Sequence, residues 1–228
     1  MSINFPEFRP NVYSPATVAR PDPARRPGVY RNLFKRAFDV AAVALALPVV
    51  APLILALALA VRRDGGPAFY TQLRVGKGGR HFRMWKLRSM VADADARMSA
   101  YLDANPEARR EWNVTQKLKA DPRITGFGAF LRRSSLDELP QLINVLTGDM
   151  SLVGPRPMML NQQAIYPGQA YFALRPGITG HWQTAGRNAT AFEARADYDT
   201  EYDADLSLKT DLRILARTVG VVMRCTGY

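Results

Sequence analysis

The 22 residues from Val40 to Val61 read "VAAVALALPVVAPLILALALAV" and carry no charge. About 20 apolar residues suffice for a helix to cross the hydrocarbon core of a bilayer, and soluble core helices rarely run this long without a polar residue. Whatever the rest of the chain does, this run must be given an apolar surrounding. Pro48 and Pro52 stand near its middle, where proline removes backbone hydrogen bonds and kinks a helix. Arg31, Lys35 and Arg36 precede it and Arg62 and Arg63 follow it, and the positive-inside rule keeps both flanks on the cytoplasmic side. A helix–break–helix that dips into one leaflet and returns satisfies both facts; a kinked single-pass anchor satisfies only the first. Asp39, at the entrance, lies three residues after Arg36 and four after Lys35, so a helix places these charges on one face as a structural pair.

Outside this run the chain is basic, with 31 Lys+Arg against 20 Asp+Glu and a net charge of +11. That balance suits an anionic partner: nucleic acid, a lipid surface or a phosphorylated small molecule. No basic recognition helix or nucleic-acid module is present, so the nucleic-acid reading is set aside. Cys225 is the single cysteine and His81 and His181 are the two histidines, which excludes an internal disulfide and argues against structural zinc. A metal here would be a hard ion on oxygen ligands.

The first thirty residues, with Pro6, Pro10, Pro15, Pro21, Pro23 and Pro27, read as a disordered cytosolic leader. Residues 31–63 are expected to form the membrane element and 64–228 a cytosolic or interfacial domain. Phe69–Val75 and His81–Leu87 partly alternate around Gly76–Gly79 and predict a β-hairpin. Helices are expected over Met90–Ala108, Leu136–Leu146 (stopped by Gly148) and Leu206–Arg224, with a turn at Asp121–Pro122 and a loop at Arg175–Gly180. "VGKGG" fails the Walker pattern and "GFG" the dinucleotide fingerprint. "ADYDTEYDAD" has Tyr202 where a calcium loop needs glycine; it reads as a solvated acidic segment.

The most informative stretch is "RRSSLDELPQLINVLTGDMSLVGPRP", from Arg132 to Pro157. Ser135 to Glu138 fits the S-x-x-E capping box, and acids suit a first helical turn. The same geometry also serves chemistry. Adjacent helical residues point about 100° apart, so one of the two carboxylates could face a reacting phosphorus while its neighbour holds a divalent metal. Arg132, Arg133 and Arg156 offer guanidinium forks for phosphate oxygens. From local sequence alone, cap and site both stand.

"KRAFD" (Lys35–Asp39), the proline-broken run, "FYTQLRVGKGGRHFRMWKLRSM", "DPRITGFGAFLRRSSLDELPQLINVLTGDMSLVGPRP" and "RPGITGHWQTAGR" occur in this order. Together they resemble the bacterial sugar transferases, the monotopic phosphoglycosyl transferases, from about residue 33 onward. Ala51 stands where the family has a serine before its helix-breaking proline, matched here by Pro52, and Pro48 is an extra proline. The resemblance implies an α+β, mainly helical monotopic enzyme with a re-entrant helix, a small β-hairpin and a cytosolic helical catalytic domain. It implies transfer of a sugar 1-phosphate from a UDP-sugar to undecaprenyl phosphate with Mg²⁺, at the cytoplasmic face of the bacterial inner membrane. By position, Asp137 would be the nucleophile, forming a phosphosugar-aspartate and releasing UMP, and Glu138 (with Asp137) would bind Mg²⁺. Arg132 and Arg156 match phosphate-contacting positions, and Lys86, Arg88, Gln183 and Arg187 are further anion or nucleotide candidates. The layout, with no array of helices before "KRAFD", is most similar to small exopolysaccharide-initiating members, which commonly use UDP-galactose or UDP-glucose. Anionic headgroups would meet the basic surface. Two rival readings remain: a membrane-anchored basic scaffold without catalysis, and a membrane glycosyltransferase that releases UDP.

Overall fold

A computed structural model describes residues 28–115, 118, 120–185 and 192–223. The proline-rich leader falls almost entirely outside these residues, as does Arg187. The fold begins with a short π-helical turn, Tyr30–Phe34, which runs into α1, Lys35–Val61. The expected break is not an interruption. α1 is continuous through Pro48 and Pro52, although neither ring nitrogen can donate to the carbonyl four residues back, at Ala44 and Pro48.

Both ends of α1 are built into the rest of the molecule. Near its start, Val43 packs with Phe82, Met84, Val145 and Met150; near its end, Leu57, Ala58 and Val61 pack with Ala68, Leu87 and Leu131. Between them Leu45, Val49 and Leu55 are exposed, Leu45 at 84%. The helical segment Tyr30–Asp64 is long and apolar enough to cross a membrane. Lys35 and Asp39 form the expected ion pair at 3.5 Å, but Arg36 does not join it. Its guanidinium instead bonds the carbonyls of Val145 and Leu146 at a helix C-terminus, where cations suit the helix dipole.

The hairpin has the expected bounds: β1 is Phe69–Val75 and β2 is His81–Leu87, antiparallel with Phe69 opposite Leu87 and Val75 opposite His81. The turn takes Gly78 and Gly79 through φ of 69° and 77°, a region glycine enters without a Cβ penalty. The single helix expected over Met90–Ala108 is two, α2 (Ala94–Ala104) and α3 (Pro106–Thr115). Asn105 between them is extended (φ −129°, ψ 91°), as the clash with a following proline demands.

After the turn at Asp121–Pro122 comes α4, Gly126–Ser134, capped by the Thr125 hydroxyl, which accepts from Gly128 N at 2.8 Å. A Cβ on Gly128 would lie 1.9 Å from the Ser89 carbonyl oxygen, so α4 sits against the strand exit only because that residue is glycine. The helix expected over Leu136–Leu146 is a single 3₁₀ turn, Leu136–Glu138, then α5, Gln141–Thr147, which ends at Gly148 (φ 89°).

β3 (Ser151–Val153) pairs in parallel with β4 (Gly177–Thr179). Residues Arg175–Gly180 are therefore partly strand, not only loop; a three-residue strand is too short to show a period. α6 (Ala170–Ala173), α7 (His181–Ala185), α8 (Arg195–Ala204) and α9 (Leu208–Met223) complete the described fold. The acidic string is not simply solvated: Asp199 and Asp203 of α8 are buried, the first hydrogen-bonded by Tyr166 and the second ion-paired with Arg31.

Candidate active site

The acid pair sits where α4 hands over to α5. Ser135 is left-handed (φ 57°), closes α4 through its N–H on the Arg132 carbonyl, and makes no side-chain cap. An N-cap needs extended backbone, so the capping-box reading of Ser135 and Glu138 fails here. Asp137 and Glu138 lie on the 3₁₀ turn, held by Leu136 and Leu139 against Leu87 and Leu131. From α5, Asn144 braces this region on β2, accepting from Trp85 N at 3.0 Å and donating to the Arg83 carbonyl at 2.8 Å.

Asp137 is 7% exposed. Lys86 Nζ reaches across from β2, 2.8 Å from Glu138 Oε1 and 3.6 Å from Asp137 Oδ2. Burial pushes the Asp137 carboxyl above its ordinary range and the neighbouring Glu138 adds to this, while Lys86 and Arg132 oppose it. The result is a desolvated carboxyl group between two cations, Lys86 and Arg132. Arg132 donates from Nε to Ser89 Oγ at 2.8 Å. Its own burial lowers its pKa, while the charges of Asp137 and Asp121 raise it.

Beside this pair opens a cleft of about 270 Å³, lined among others by Arg74, Lys86, Glu138, Gln141 and Arg156. Arg156 stacks 5.6 Å from the Trp182 ring centroid. Of the sequence candidates, Lys86, Glu138 and Arg156 line this cleft; Asp137 joins them through Lys86, and Arg132 acts on Asp137 by its charge. Arg88 is not. It is a buried clamp that donates to Asp64 at 2.5 and 2.8 Å and to the carbonyls of Pro67, Val61 and Met90, tying the end of α1 to β2. Arg133 is exposed and absent from the cleft wall. Gln183 is buried in α7, with neither amide atom hydrogen-bonded; it does not line the cleft.

Two cleft residues were missed by sequence reasoning. Arg74 lies opposite Phe82 as Tyr70 lies opposite Lys86, so strand alternation puts Arg74 and Lys86 on one face. Burial and the nearby Arg156 guanidinium lower Arg74 to about 10. Gln141 follows the acid pair by one turn of chain and gave no separate signal. Arg195 is also drawn in, its guanidinium 4.2 Å from the Trp182 ring.

Asp199 marks the edge of this region. Tyr166 donates to it at 2.6 Å, and burial pushes its carboxyl up to about 6, against the pull of that bond and of Arg195. The folded state therefore keeps a proton that the unfolded chain has lost, and stability falls as pH rises from about 4 to about 6. Asp199→Asn is expected to gain on the wild type by about 2 kcal/mol between pH 4.5 and 7. Urea unfolding midpoints of both proteins at the two pH values check this.

The Bacterial sugar transferase family model matches residues 30–225. The chain belongs to that family. An exopolysaccharide production protein, ExoY, of Rhizobium meliloti is 43% identical over 199 residues, which cover 86% of this chain and 88% of the relative. The undecaprenyl-phosphate galactose phosphotransferase of Salmonella typhimurium is 45% identical over 198 residues, 86% of this chain but 42% of its own length. A UDP-glucose:undecaprenyl-phosphate glucose-1-phosphate transferase of Caulobacter vibrioides is 40% identical over 204 residues, 85% of this chain and 71% of the relative. Against some of its relatives, then, this family member spans less than half of their length.

Among the described residues no three His, Cys, Asp or Glu side chains cluster as a metal cage. Adjacent carboxylates at a cleft nevertheless fit Mg²⁺, which keeps several waters and is bound through one or two carboxylates plus substrate phosphates.

Proposed function

We propose that this chain is a phosphoglycosyl transferase that moves hexose 1-phosphate from a UDP-sugar, UDP-galactose or UDP-glucose, to undecaprenyl phosphate and so initiates an exopolysaccharide. The observation that carries this reading is the buried Asp137 carboxylate, paired with Lys86 beside a cleft walled by Arg74 and Arg156. Asp137 attacks the phosphorus that bears the sugar; an Asp137 oxygen–phosphorus bond forms, the pyrophosphate bond breaks, and UMP leaves with the electron pair. The lipid phosphate oxygen then attacks the same phosphorus, and the carboxylate is regenerated as undecaprenyl diphosphate sugar departs. Lys86 keeps Asp137 ionised between the two displacements, and burial keeps water from the acyl phosphate. Arg74, Arg156 and Arg132 bind phosphate oxygens. Glu138 and Asp137 would hold Mg²⁺, whose charge screens the repulsion between carboxylate and diphosphate.

The packing of α1 supports re-entry from the cytoplasmic face of the inner membrane. Its two ends meet the same body of helices and hairpin, whereas a straight crossing would part them by the width of the bilayer. An acceptor phosphate at the membrane surface and a soluble donor can then meet at Asp137.

The nucleotide product tests the reaction. Purified protein with undecaprenyl phosphate, Mg²⁺ and a panel of UDP-sugars is expected to turn over and release UMP from one preferred sugar, whereas without lipid it stops at one equivalent of UMP per enzyme. UDP as product would mean ordinary glycosyl transfer, and no nucleotide from any donor would leave the scaffold reading.

A further inference from the structure

A second recess, of about 340 Å³, shares no lining residue with the catalytic cleft. Its wall includes Arg31, Lys35, Lys77, Ser151, Arg175 and Tyr202. Four of these six are cations, and the remaining lining residues are apolar. Arg31 is matched by Asp203 at 2.6 Å and Lys35 by Asp211 at 2.8 Å. Among the described residues neither Lys77 nor Arg175 has a carboxylate partner within 4.0 Å; Arg175 spends only its Nε, on the Gly148 carbonyl at 2.9 Å. Partial burial lowers the Lys77 pKa, and the charges of Arg175, Arg31 and Arg80 lower it further. Two cations thus face a cavity from different elements, the hairpin turn and the entry to β4, with no protein anion between them. The leader cannot supply one readily, since it carries Arg9, Arg20, Arg25 and Arg26 against Glu7 and Asp22.

The position of the recess says which anion can reach it. Helical rise places Lys35 about 8 Å and Arg31 about 14 Å before Val40, where the charge-free run starts. The opening therefore lies within reach of the headgroup layer if α1 is seated in a leaflet, the placement proposed above. A phosphate oxyanion there meets Lys77 and the free end of Arg175 while Arg31 and Lys35 add to the field. We propose that this recess is a phosphate-binding site, separate from the catalytic cleft, that holds the headgroup of an anionic membrane lipid. Free phosphate shares the chemistry and is the alternative source.

Lys77 is exposed on the hairpin turn, so its replacement leaves the packing intact, and it takes no part in the catalytic site. The full chain in neutral detergent would be titrated with phosphatidylglycerol or phosphatidylcholine and bound lipid counted by native mass spectrometry. Wild type is expected to retain one phosphatidylglycerol in preference to phosphatidylcholine. On the scale of one interfacial cation, Lys77→Ala should weaken this about five-fold and Lys77→Glu more than about twenty-fold, while Arg97→Ala, on exposed α2, changes nothing. Competition by millimolar inorganic phosphate, binding equally well without lipid, would keep the site but assign it to free phosphate. Phosphatidylglycerol retention unchanged in Lys77→Glu, with thermal unfolding confirming the fold, would overturn the proposal. Because the readout is mass, it stands apart from whether the chain releases UMP.

Discussion

Asp137→Asn is expected to lower lipid-dependent UMP release by at least about four orders of magnitude, or about 5.4 kcal/mol of lost transition-state stabilisation. The amide is nearly the same size and has no negative oxygen, so it cannot form the bond to phosphorus. Asp137 is buried between Lys86, Arg132 and Glu138, and the neutral replacement also relieves the cost of desolvating a charge there. The folded state should accordingly survive, with a thermal midpoint close to that of the wild type. Intact-mass analysis of a quenched reaction lacking acceptor lipid supplies the second reading. Wild type should carry a phosphohexose adduct that maps to Asp137, and the variant none. A variant within tenfold of wild type, or an adduct on another residue, would remove Asp137 from the chemistry and return it to a purely structural place on the 3₁₀ turn.

The second large effect is on stability. Asp211 is fully buried, 2.8 Å from Lys35 Nζ, and accepts from the hydroxyls of Tyr30 and Tyr202 at 2.6 Å each. Asp211→Ala leaves the Lys35 ammonium buried with only Asp39 at 3.5 Å and the Tyr30 phenol without its acceptor, while Tyr202 keeps only the Val153 carbonyl at 3.1 Å. Breaking one side of a buried pair costs about 3–5 kcal/mol, which for a chain of this size lowers the midpoint by roughly 6–20 °C. The triple change Lys35→Met, Asp39→Asn and Asp211→Leu removes the buried ammonium together with both of its carboxylates and should recover more than half of that loss. Thermal unfolding of the three proteins in one detergent decides the matter; a loss below about 1 kcal/mol in the single variant would show that the pair is exchangeable with water.

What the sequence made legible follows from the range of the forces involved. The hairpin was readable to the residue because alternation and a glycine turn are local. α9 was readable because its apolar spacing repeats over four turns. The cap at Ser135 misled because S-x-x-E is satisfied equally by the end of one helix and the start of another; α4 arrives first and takes Ser135 into the left-handed region. Arg88 misled in a similar way. An arginine in a strand motif near the acid pair looks like an anion ligand, but Asp64 and three carbonyls, brought together only by the return of α1, consume its donors. β3 and β4 were hidden by their length and by a pairing across more than twenty residues. Lys86 and the acid pair were singled out from the motifs, and the structure brings them together, whereas Arg74 needed the register of the hairpin.

The clamping of the α1 entrance also bears on the order of synthesis. Arg31 and Lys35 find their carboxylates at Asp203 and Asp211, more than 170 positions later in the chain. At about 5–20 residues per second, that interval lasts roughly ten to thirty seconds. For much of it the apolar run is out of the ribosome while Asp203 and Asp211 have yet to be made. Its depth and direction in the bilayer are therefore first set by lipid and by the positive flanks, and are sealed by the protein only when the last helix has emerged.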